Sequence, residues 1–281
     1  MSQQTAAILG LGIIGSRTFS RLSEEGWKVK AWNRTAKGLA GETATPEEAI
    51  QGAAIISLFL KDVSAVREVV ERIRPHLAVG QIVLNHSTID LETTLWLDEV
   101  CRAQGCRFLD TPFTGSKDAS ASGKLFYYAG GETALIQKVT PYLMITGRGI
   151  LPCGNVGDAT VIKLSMNLVS ACVIQAVSEA LAISTRLGVS KEVFEKAAAD
   201  SAFASPVVAM KLPGMLKGDY ETHFSLSNMA KDSRYALELA EQAGIEVPAI
   251  TAVSERMAEV AADGQGDFDY SVLAKPYLEQ A

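Results

Sequence analysis

The sequence predicts an α/β domain, a doubly wound and mostly parallel sheet with helices on both faces, followed by an all-α domain joined through a long interdomain helix. Three observations lead there. Up to about residue 152, short apolar runs alternate with helix-like stretches. After Cys153 the strand-like runs disappear. Between Asp158 and Leu187 one helical stretch of about thirty residues is apolar on most faces, as a helix buried between layers or between subunits would be. The expected boundaries are 1–153 and 154–281, and 281 residues suit two ordinary domains.

Taken in order, Thr5-Ala6-Ala7-Ile8-Leu9 is a short apolar run suited to a buried parallel strand. Gly10-Leu11-Gly12-Ile13-Ile14-Gly15 follows, then Phe19, Leu22 and Trp27 at helical intervals, with Gly26 as a stop. Val29-Lys30-Ala31-Trp32 makes the next strand. A lone GxGxxG says little, but inside a βαβ unit of about thirty residues it is the dinucleotide fingerprint of a Rossmann domain. Gly10 permits the tight turn, Gly12 lets the backbone approach a pyrophosphate, and Gly15 lets the helix pack close to the strand. The helix N-terminus offers N–H groups and partial positive charge to the phosphates. At the end of the second strand, where Asp or Glu would hold a ribose 2′-hydroxyl, stand Asn33, Arg34 and Thr35, with Lys37 nearby. An arginine there suits a 2′-phosphate, so the expected cofactor is NADP(H).

Ala54–Phe59 and Gln81–Asn85 are further parallel-strand candidates, and Arg107–Asp110 and Leu125–Ala129 continue the sheet, with helices near 63–74 and 93–104. The turns after Leu9, Phe59, Asn85 and Asp110 should therefore share one crevice beyond the carboxyl ends of the strands. The long helix, with Gly188 as its stop, would span roughly 45 Å and border the cofactor crevice. Further helices are expected near 191–200, 204–216, 226–243 and 248–262, and a last one from about Tyr270.

Composition narrows the function classes. The chain is 48% hydrophobic and 21% charged, ample for a sizeable core. A net charge of −6 argues against a nucleic-acid or anionic-membrane surface. Met1-Ser2-Gln3-Gln4 lacks the basic region of a secretory signal, and Asn167, Gln175 and Glu179 interrupt the most apolar stretch, so no membrane span is expected. Cys101, Cys106, Cys153 and Cys172 show no metal or redox spacing, and His76, His86 and His223 are dispersed. No metal is expected, and scattered thiols fit a cytoplasmic protein.

Reducing a carbonyl requires a group to polarise and protonate its oxygen. Lys163 is the leading proton donor, with Asn167 at i+4 and Ser170 at i+7 on much the same helical face. A partly buried ammonium polarises an oxygen strongly. A snorkelling lysine near a helix start is the competing reading on spacing alone. Asp110-Thr111-Pro112-Phe113-Thr114-Gly115-Ser116-Lys117 turns tightly after a strand, offering hydroxyls and N–H groups suited to a carboxylate. Ser87-Thr88-Ile89-Asp90 lies beyond another strand, near the expected nicotinamide end, and His86 beside it is a weaker acid candidate.

Together these segments resemble the β-hydroxyacid dehydrogenases, relatives of 3-hydroxyisobutyrate and 6-phosphogluconate dehydrogenases, over nearly the whole chain. The resemblance rests on GLGIIG at 10–15, DTPFTGS at 110–116, GNVGDATVIKLSMN at 154–167 and Lys231-Asp232. WNRT at 32–35, STIDLETT at 87–94, GSKDASASGKL at 115–125 and GDFDYS at 266–271 look most like the glyoxylate and succinic semialdehyde reductase branch. The resemblance implies that Lys163 is catalytic with Asn167 as its partner, and that Thr114, Gly115 and Ser116 bind a substrate carboxylate. It further implies that Thr88 and Lys231 contact cofactor or substrate, that Leu60 and Lys61 line the cofactor loop, and that the protein is a homodimer or homotetramer. Thr114 in place of the usual Ser, Asn85-His86 before the Ser-Thr pair, and Asp158 five residues before Lys163 depart from the pattern.

The favoured expectation is NADPH-dependent reduction of a small aldehyde- or keto-acid to the hydroxy acid, with Lys163 as general acid. Alternatives are a 3-hydroxyisobutyrate-type dehydrogenase, an imine reductase relative and a non-catalytic NADP-binding sensor. Imine-reducing relatives generally lack the lysine, and a sensor has no need of Lys163 and Asn167.

Overall fold

The computed structural model describes residues 4–279, so Met1-Ser2-Gln3 of the opening run lies outside the described residues. The chain forms two compact units, Met1–Lys163 and Leu164–Ala281.

In the first unit the strands are β1 (Thr5–Leu9), β2 (Lys28–Trp32), β3 (Ile55–Leu58), β4 (Ile82–Asn85), β5 (Arg107–Asp110), β6 (Phe113–Thr114), β7 (Leu125–Gly130) and β8 (Gly147–Gly154). The helices between them are α1 (Ile13–Glu24), α2 (Pro46–Ile50), α3 (Val63–Ile73), α4 (Leu91–Ala103), α5 (Lys117–Ala121) and α6 (Thr133–Leu143). All the strands form one sheet, ordered β2-β1-β3-β4-β5-β7-β6, with β8 paired to β7. From β2 to β5 the pairing is parallel, and β7 runs antiparallel to β5 and β6. The order reverses direction at β1 and β3, which puts the switch point at their carboxyl ends.

Successive residues of one strand feed opposite faces of this sheet. Ile8, Leu84 and Leu109 pack with Leu22 of α1 and Val139 of α6. Leu9, Ile56 and Val83 pack with Val66 of α3 and Leu97 of α4. Both faces are therefore covered, and the central strands read as continuous apolar runs because neither side meets water. Elements that escape sequence periodicity are short or broken by imino acids and glycine. The strand β8 contains Gly149 and Pro152 and pairs with β7 through two irregularities of register. In α6, Pro141 stands inside the helix.

The second unit holds most of α7 (Asp158–Arg186), then α8 (Lys191–Ala199), α9 (Pro206–Lys217), α10 (Leu226–Ala243), α11 (Pro248–Val260) and α12 (Lys275–Leu278). Ser190, Ser205 and Ser225 cap the starts of α8, α9 and α10, and Gly218 and Gly244 close α9 and α10 in the left-handed conformation. The final segment opens as a 3₁₀ turn, Tyr270–Ala274, before α12. With 29 residues α7 spans about 43 Å. Its length and mean hydropathy of 1.6 match a membrane span. Ala171, Ile174, Val177 and Leu181, however, pack into a core with Met215, Leu226, Met257 and Leu273, as in the first helix of a globular bundle.

Candidate active site

The glycine loop is built by exclusion. Gly10 holds φ +105, and a Cβ there would meet the Phe59 carbonyl oxygen at 2.2 Å. A Cβ on Gly15 would stand 2.0 Å from the Gly10 carbonyl oxygen. At Gly12 a Cβ would meet nothing within 4 Å, so this face of the loop is open. Gly12 caps α1 without a side-chain hydrogen bond, and the first turn of α1 carries no acidic residue. Ile13 is exposed, Ile14 half-buried and Leu11 buried as an apolar anchor. A tight turn, an open glycine and an uncapped, acid-free helix start together fit a bound pyrophosphate.

Asn33 faces inward toward this loop. Its Oδ1 accepts the Leu11 N–H at 2.9 Å and its Nδ2 donates to the Thr35 carbonyl at 2.7 Å, so it ties the end of β2 to the glycine turn. Arg34 is exposed and pairs with Glu68 of α3 at 3.3 Å. Glu42, which sequence reading passed over, accepts the backbone N–H groups of Lys37 and Leu39 and closes the turn beyond Thr35. The group that a 2′-phosphate needs is thus present as an exposed guanidinium on a backbone fixed from both sides.

Beyond β3, Leu60 is half-buried and Lys61 exposed. The Leu60 N–H donates to Ser87 Oγ at 2.8 Å, which couples the loop after β3 to the loop after β4. Thr88 follows, half-buried. His86 is buried instead of facing an opening. One ring nitrogen, Nδ1, lies 2.8 Å from the Thr111 carbonyl, and Nε2 lies 3.1 Å from Ser57 Oγ, itself 2.8 Å from the Tyr142 hydroxyl. The ring stacks on Phe59 with centroids 4.4 Å apart. Burial pushes its pKa down to about 4, against a raising hydrogen bond to Thr111, so near neutral pH it is an uncharged part of the sheet. A proton-donor role for His86 has no support in this geometry.

The loop after β5 meets the start of α7 through Asp110. This fully buried carboxylate accepts the Thr160 N–H through Oδ2 at 2.7 Å. Thr160 Oγ1 lies 3.0 Å from Thr94 Oγ1 of α4. Burial raises the Asp110 pKa to about 7 despite the hydrogen bonds it accepts from this first turn. Asp158 closes the same turn locally, its Oδ2 accepting the Asn155 N–H at 2.7 Å, where its negative charge also complements the helix start. Thr114 and Gly115 are exposed; Gly115 sits at φ +142 and Ser116 caps α5 by accepting the Ala119 N–H. Lys163, half-buried, comes one helical turn after Thr160. The structure therefore ties the first turn of α7, one turn before Lys163, to the end of β5, where the loop to Ser116 begins. Asp110 makes that connection, and the sequence offered it only as the first letter of a polar turn.

In the second unit, buried Asp232 joins two predicted residues. Its Oδ2 accepts from Asn167 Nδ2 at 2.7 Å and its Oδ1 accepts from Lys231 Nζ at 2.7 Å. Lys231 Nζ also lies 4.9 Å from the centre of the Tyr235 ring. Asn167 and Lys231, 64 positions apart, are thus fixed by one carboxylate, and the adjacent Lys-Asp pair was its only trace in the sequence. Among the described residues no cluster of His, Cys, Asp and Glu could hold a metal ion.

Comparison with known proteins identifies the family and the fold. Residues 5–157 match the family profile described as the NAD-binding domain of 6-phosphogluconate dehydrogenase, and residues 157–277 match that of the NAD-binding domain of NADP-dependent 3-hydroxyisobutyrate dehydrogenase. The chain belongs to the 3-hydroxyisobutyrate dehydrogenase-related, or β-hydroxyacid dehydrogenase, family. It is 30% identical over 275 residues to glyoxylate/succinic semialdehyde reductase 1 of Arabidopsis thaliana, covering 94% of this chain and 95% of that one. Its fold is that of 3-hydroxyisobutyrate dehydrogenase from Mycobacterium tuberculosis, described with L-serine. The TM-score is 0.88 at 22% identity, over 98% of this chain and 99% of the other. Psf3, described in complex with NADP+ and 2-OPP, gives 0.85 at 19% identity over 96% and 99%. As a β-hydroxyacid dehydrogenase the protein is an NAD(P)-dependent oxidoreductase.

Proposed function

We propose that this enzyme uses NADPH to reduce a small aldehyde- or keto-acid, of the glyoxylate or succinic semialdehyde kind, to the hydroxy acid. The observation that carries this reading is the Asp110–Thr160 hydrogen bond. It ties the start of α7, the helix that carries Lys163, to the end of β5, from which the chain leads on to Thr114, Gly115 and Ser116. Loop hydroxyl and N–H groups suit a carboxylate, so a substrate bearing both carboxylate and carbonyl can be held at one end and protonated at the other. The similarity to a plant glyoxylate/succinic semialdehyde reductase along nearly the full length supports the same substrate class.

NADPH, when bound, would supply the hydride. The glycines at 10, 12 and 15 with Leu11, Ile13 and Ile14 would hold its phosphates, Arg34, on the turn that Asn33 and Thr35 shape, would hold the 2′-phosphate, and Leu60, Lys61 and Thr88 would contact it, as the resemblance implies for Lys231 also. Lys163 donates the proton to the carbonyl oxygen. Asn167, oriented by Asp232, hydrogen-bonds the same oxygen or steadies the ammonium. All four cysteines are free, which supports a reducing, cytoplasmic setting.

The test is NADPH and NADH oxidation with a panel of small aldehyde- and keto-acids. Lys163→Ala should lower kcat by about 10²- to 10⁴-fold with little change in cofactor affinity. Arg34→Ala should raise the KM for NADPH at least tenfold and leave that for NADH nearly unchanged. An unaltered rate in the lysine variant overturns the mechanism, and a preference for NADH in the wild type overturns the role of Arg34.

A further inference from the structure

His86 is buried and takes part in no step of the proposed chemistry, yet both of its ring nitrogens are engaged. The direction of each hydrogen bond follows from its partner. The Thr111 carbonyl oxygen, 2.8 Å from Nδ1, can only accept, so in the uncharged ring Nδ1 carries the hydrogen. Nε2 is then the bare nitrogen and accepts from Ser57 Oγ at 3.1 Å. Ser57, its hydrogen used, accepts from the Tyr142 hydroxyl at 2.8 Å. The chain of bonds therefore runs one way, from α6 through β3 and the end of β4 to the residue after β5. Thr111 Oγ1, whose hydrogen goes to the Asn85 carbonyl at 3.3 Å, also accepts from Nδ1 at 3.2 Å.

The ring adjoins a different loop on each side. On its face lies Phe59, with centroids 4.4 Å and planes 20° apart. Phe59 supports the glycine turn: its carbonyl oxygen stands 2.2 Å from where a Gly10 Cβ would be, and its own Cβ 3.2 Å from where a Gly15 Cβ would be. On the Nδ1 edge lies Thr111, three residues before Thr114. Phe113, adjoining Thr114, has its ring 6.3 Å from that of Phe59 and 6.1 Å from that of Tyr127, and Tyr127 lies 5.6 Å from His86. The imidazole thus stands between the residue beneath the glycine turn and the residue that starts the Thr114 loop. An apolar side chain could fill this volume but could not give the buried Thr111 carbonyl a directed bond. Asn85-His86 is also where the chain departs from the family pattern.

We propose that His86 is a positioning residue whose Nδ1–H fixes the Thr111 carbonyl and so sets the distance of the Thr114–Ser116 loop from the glycine turn, on which the grip on the substrate carboxylate depends. This role rests on the function proposed above, which assigns that loop to the carboxylate. Buried as it is, His86 acts only through Thr111. A carboxylate far from the reacting carbon is held alike in ground state and transition state, so a loosened loop raises KM and spares kcat.

Three variants separate the two sides of the ring. His86→Asn keeps a donor near the place of Nδ1, His86→Gln keeps one near the place of Nε2, and His86→Phe keeps only the stack on Phe59. All three lose buried contacts, so a merely structural role would move them together. In NADPH-dependent reduction of a small keto-acid, His86→Gln and His86→Phe should raise the KM for the keto-acid at least about tenfold, with kcat within about threefold of wild type. His86→Asn should stay within about threefold in that KM, and the KM for NADPH should change less than about twofold in all three. Nitrogen-15 NMR of histidine-labelled wild type at pH 7 should show the His86 hydrogen on Nδ1. An active wild type whose three variants shift alike, or a His86 ring protonated on Nε2, would overturn this role alone. A wild type inactive on every keto-acid would overturn the function it rests on as well. Should the variants not fold, the tautomer of the wild type decides.

Discussion

Two buried aspartates, one in each unit, behave in opposite ways. Asp110 lies at the end of β5 and accepts the Thr160 N–H at the start of α7, and burial lifts its pKa to about 7 despite its hydrogen bonds. Asp269 is as deeply buried, and burial alone would lift it too, but the Lys211 ammonium 2.6 Å from Oδ2 holds it below the usual carboxylate range. N–H groups of His223, Phe224 and Ser271 complete its shell. Hydrogen bonds alone do not keep a carboxylate ionised in a dry interior, whereas an adjacent ammonium does. The second unit thus spends a full ion pair on fixing the chain at 223–224 and 269–271. The first unit holds its helix start with a group poised between two protonation states.

The largest effect should come from breaking the ion pair. Lys211 is 5% exposed and Asp269 2%, so Lys211→Ala strands an uncompensated charge and should cost about 3–5 kcal/mol. Lys211→Met with Asp269→Asn should recover much of that loss, because the charge is removed together with its partner. Urea unfolding at pH 7 measures both. A single variant within about 1 kcal/mol of wild type would show that this pair does not organise the unit.

The next effect is in pH dependence, and its sign separates the two hubs. A pKa raised on folding from 3.8 to about 7 gives Asp110 a contribution that is whole below about pH 4 and lost as pH rises through 7, on the order of 4 kcal/mol at most. His86 works in the opposite sense. Its pKa falls on folding from 6.5 to about 4, so its contribution is whole above pH 6.5 and lost as pH falls toward 4, on the order of 3 kcal/mol. The two largely offset one another in wild type between pH 4 and 6.5. Asp110→Asn keeps an acceptor for the Thr160 N–H and removes the titration. The variant should gain on wild type as pH rises from 4 to 7, and its stability should climb more steeply between pH 4 and 6.5. Unfolding midpoints at pH 4.5, 6 and 8 check this, and a difference independent of pH would refute the assignment.

How far these features can be read from the chain follows from the same physics. The alternation from Thr5 to Ala129, the glycine loop and the helix from Asp158 leave periodic or stereochemical marks on local sequence, and the fold follows them closely. The strand β8 does not, since Gly149 and Pro152 interrupt its pattern and its partner supplies the pairing. Hubs leave no such mark. Asp110, Asp232 and Asp269 each join groups many tens of residues apart or close a long loop, and a buried aspartate is spelled like an exposed one. His86 misleads in the opposite direction, because its place beside Ser87-Thr88 suggests chemistry while its ring is consumed by Thr111 and Ser57.

Exposure should reduce the effect of the same kind of pair to almost nothing in stability, and this sets the third prediction. Arg34 and Glu68, 69% and 54% exposed and 3.3 Å apart, form an ion pair like that of Lys211 and Asp269 but in water, where such pairs are worth at most about 1 kcal/mol. Glu68→Gln should leave the unfolding midpoint nearly unchanged. Its effect should appear in cofactor recognition instead. On the proposed role of Arg34, a 2′-phosphate takes the guanidinium from Glu68 and sits beside that carboxylate, so removing the charge should lower the KM for NADPH about two- to fivefold and leave that for NADH unaltered. Raising the ionic strength should shrink the difference, since both charges face solvent and are screened over about 10 Å at 0.1 M salt. An equal change for both cofactors would mean that Glu68 acts on the fold of the loop and not on the charge that Arg34 presents.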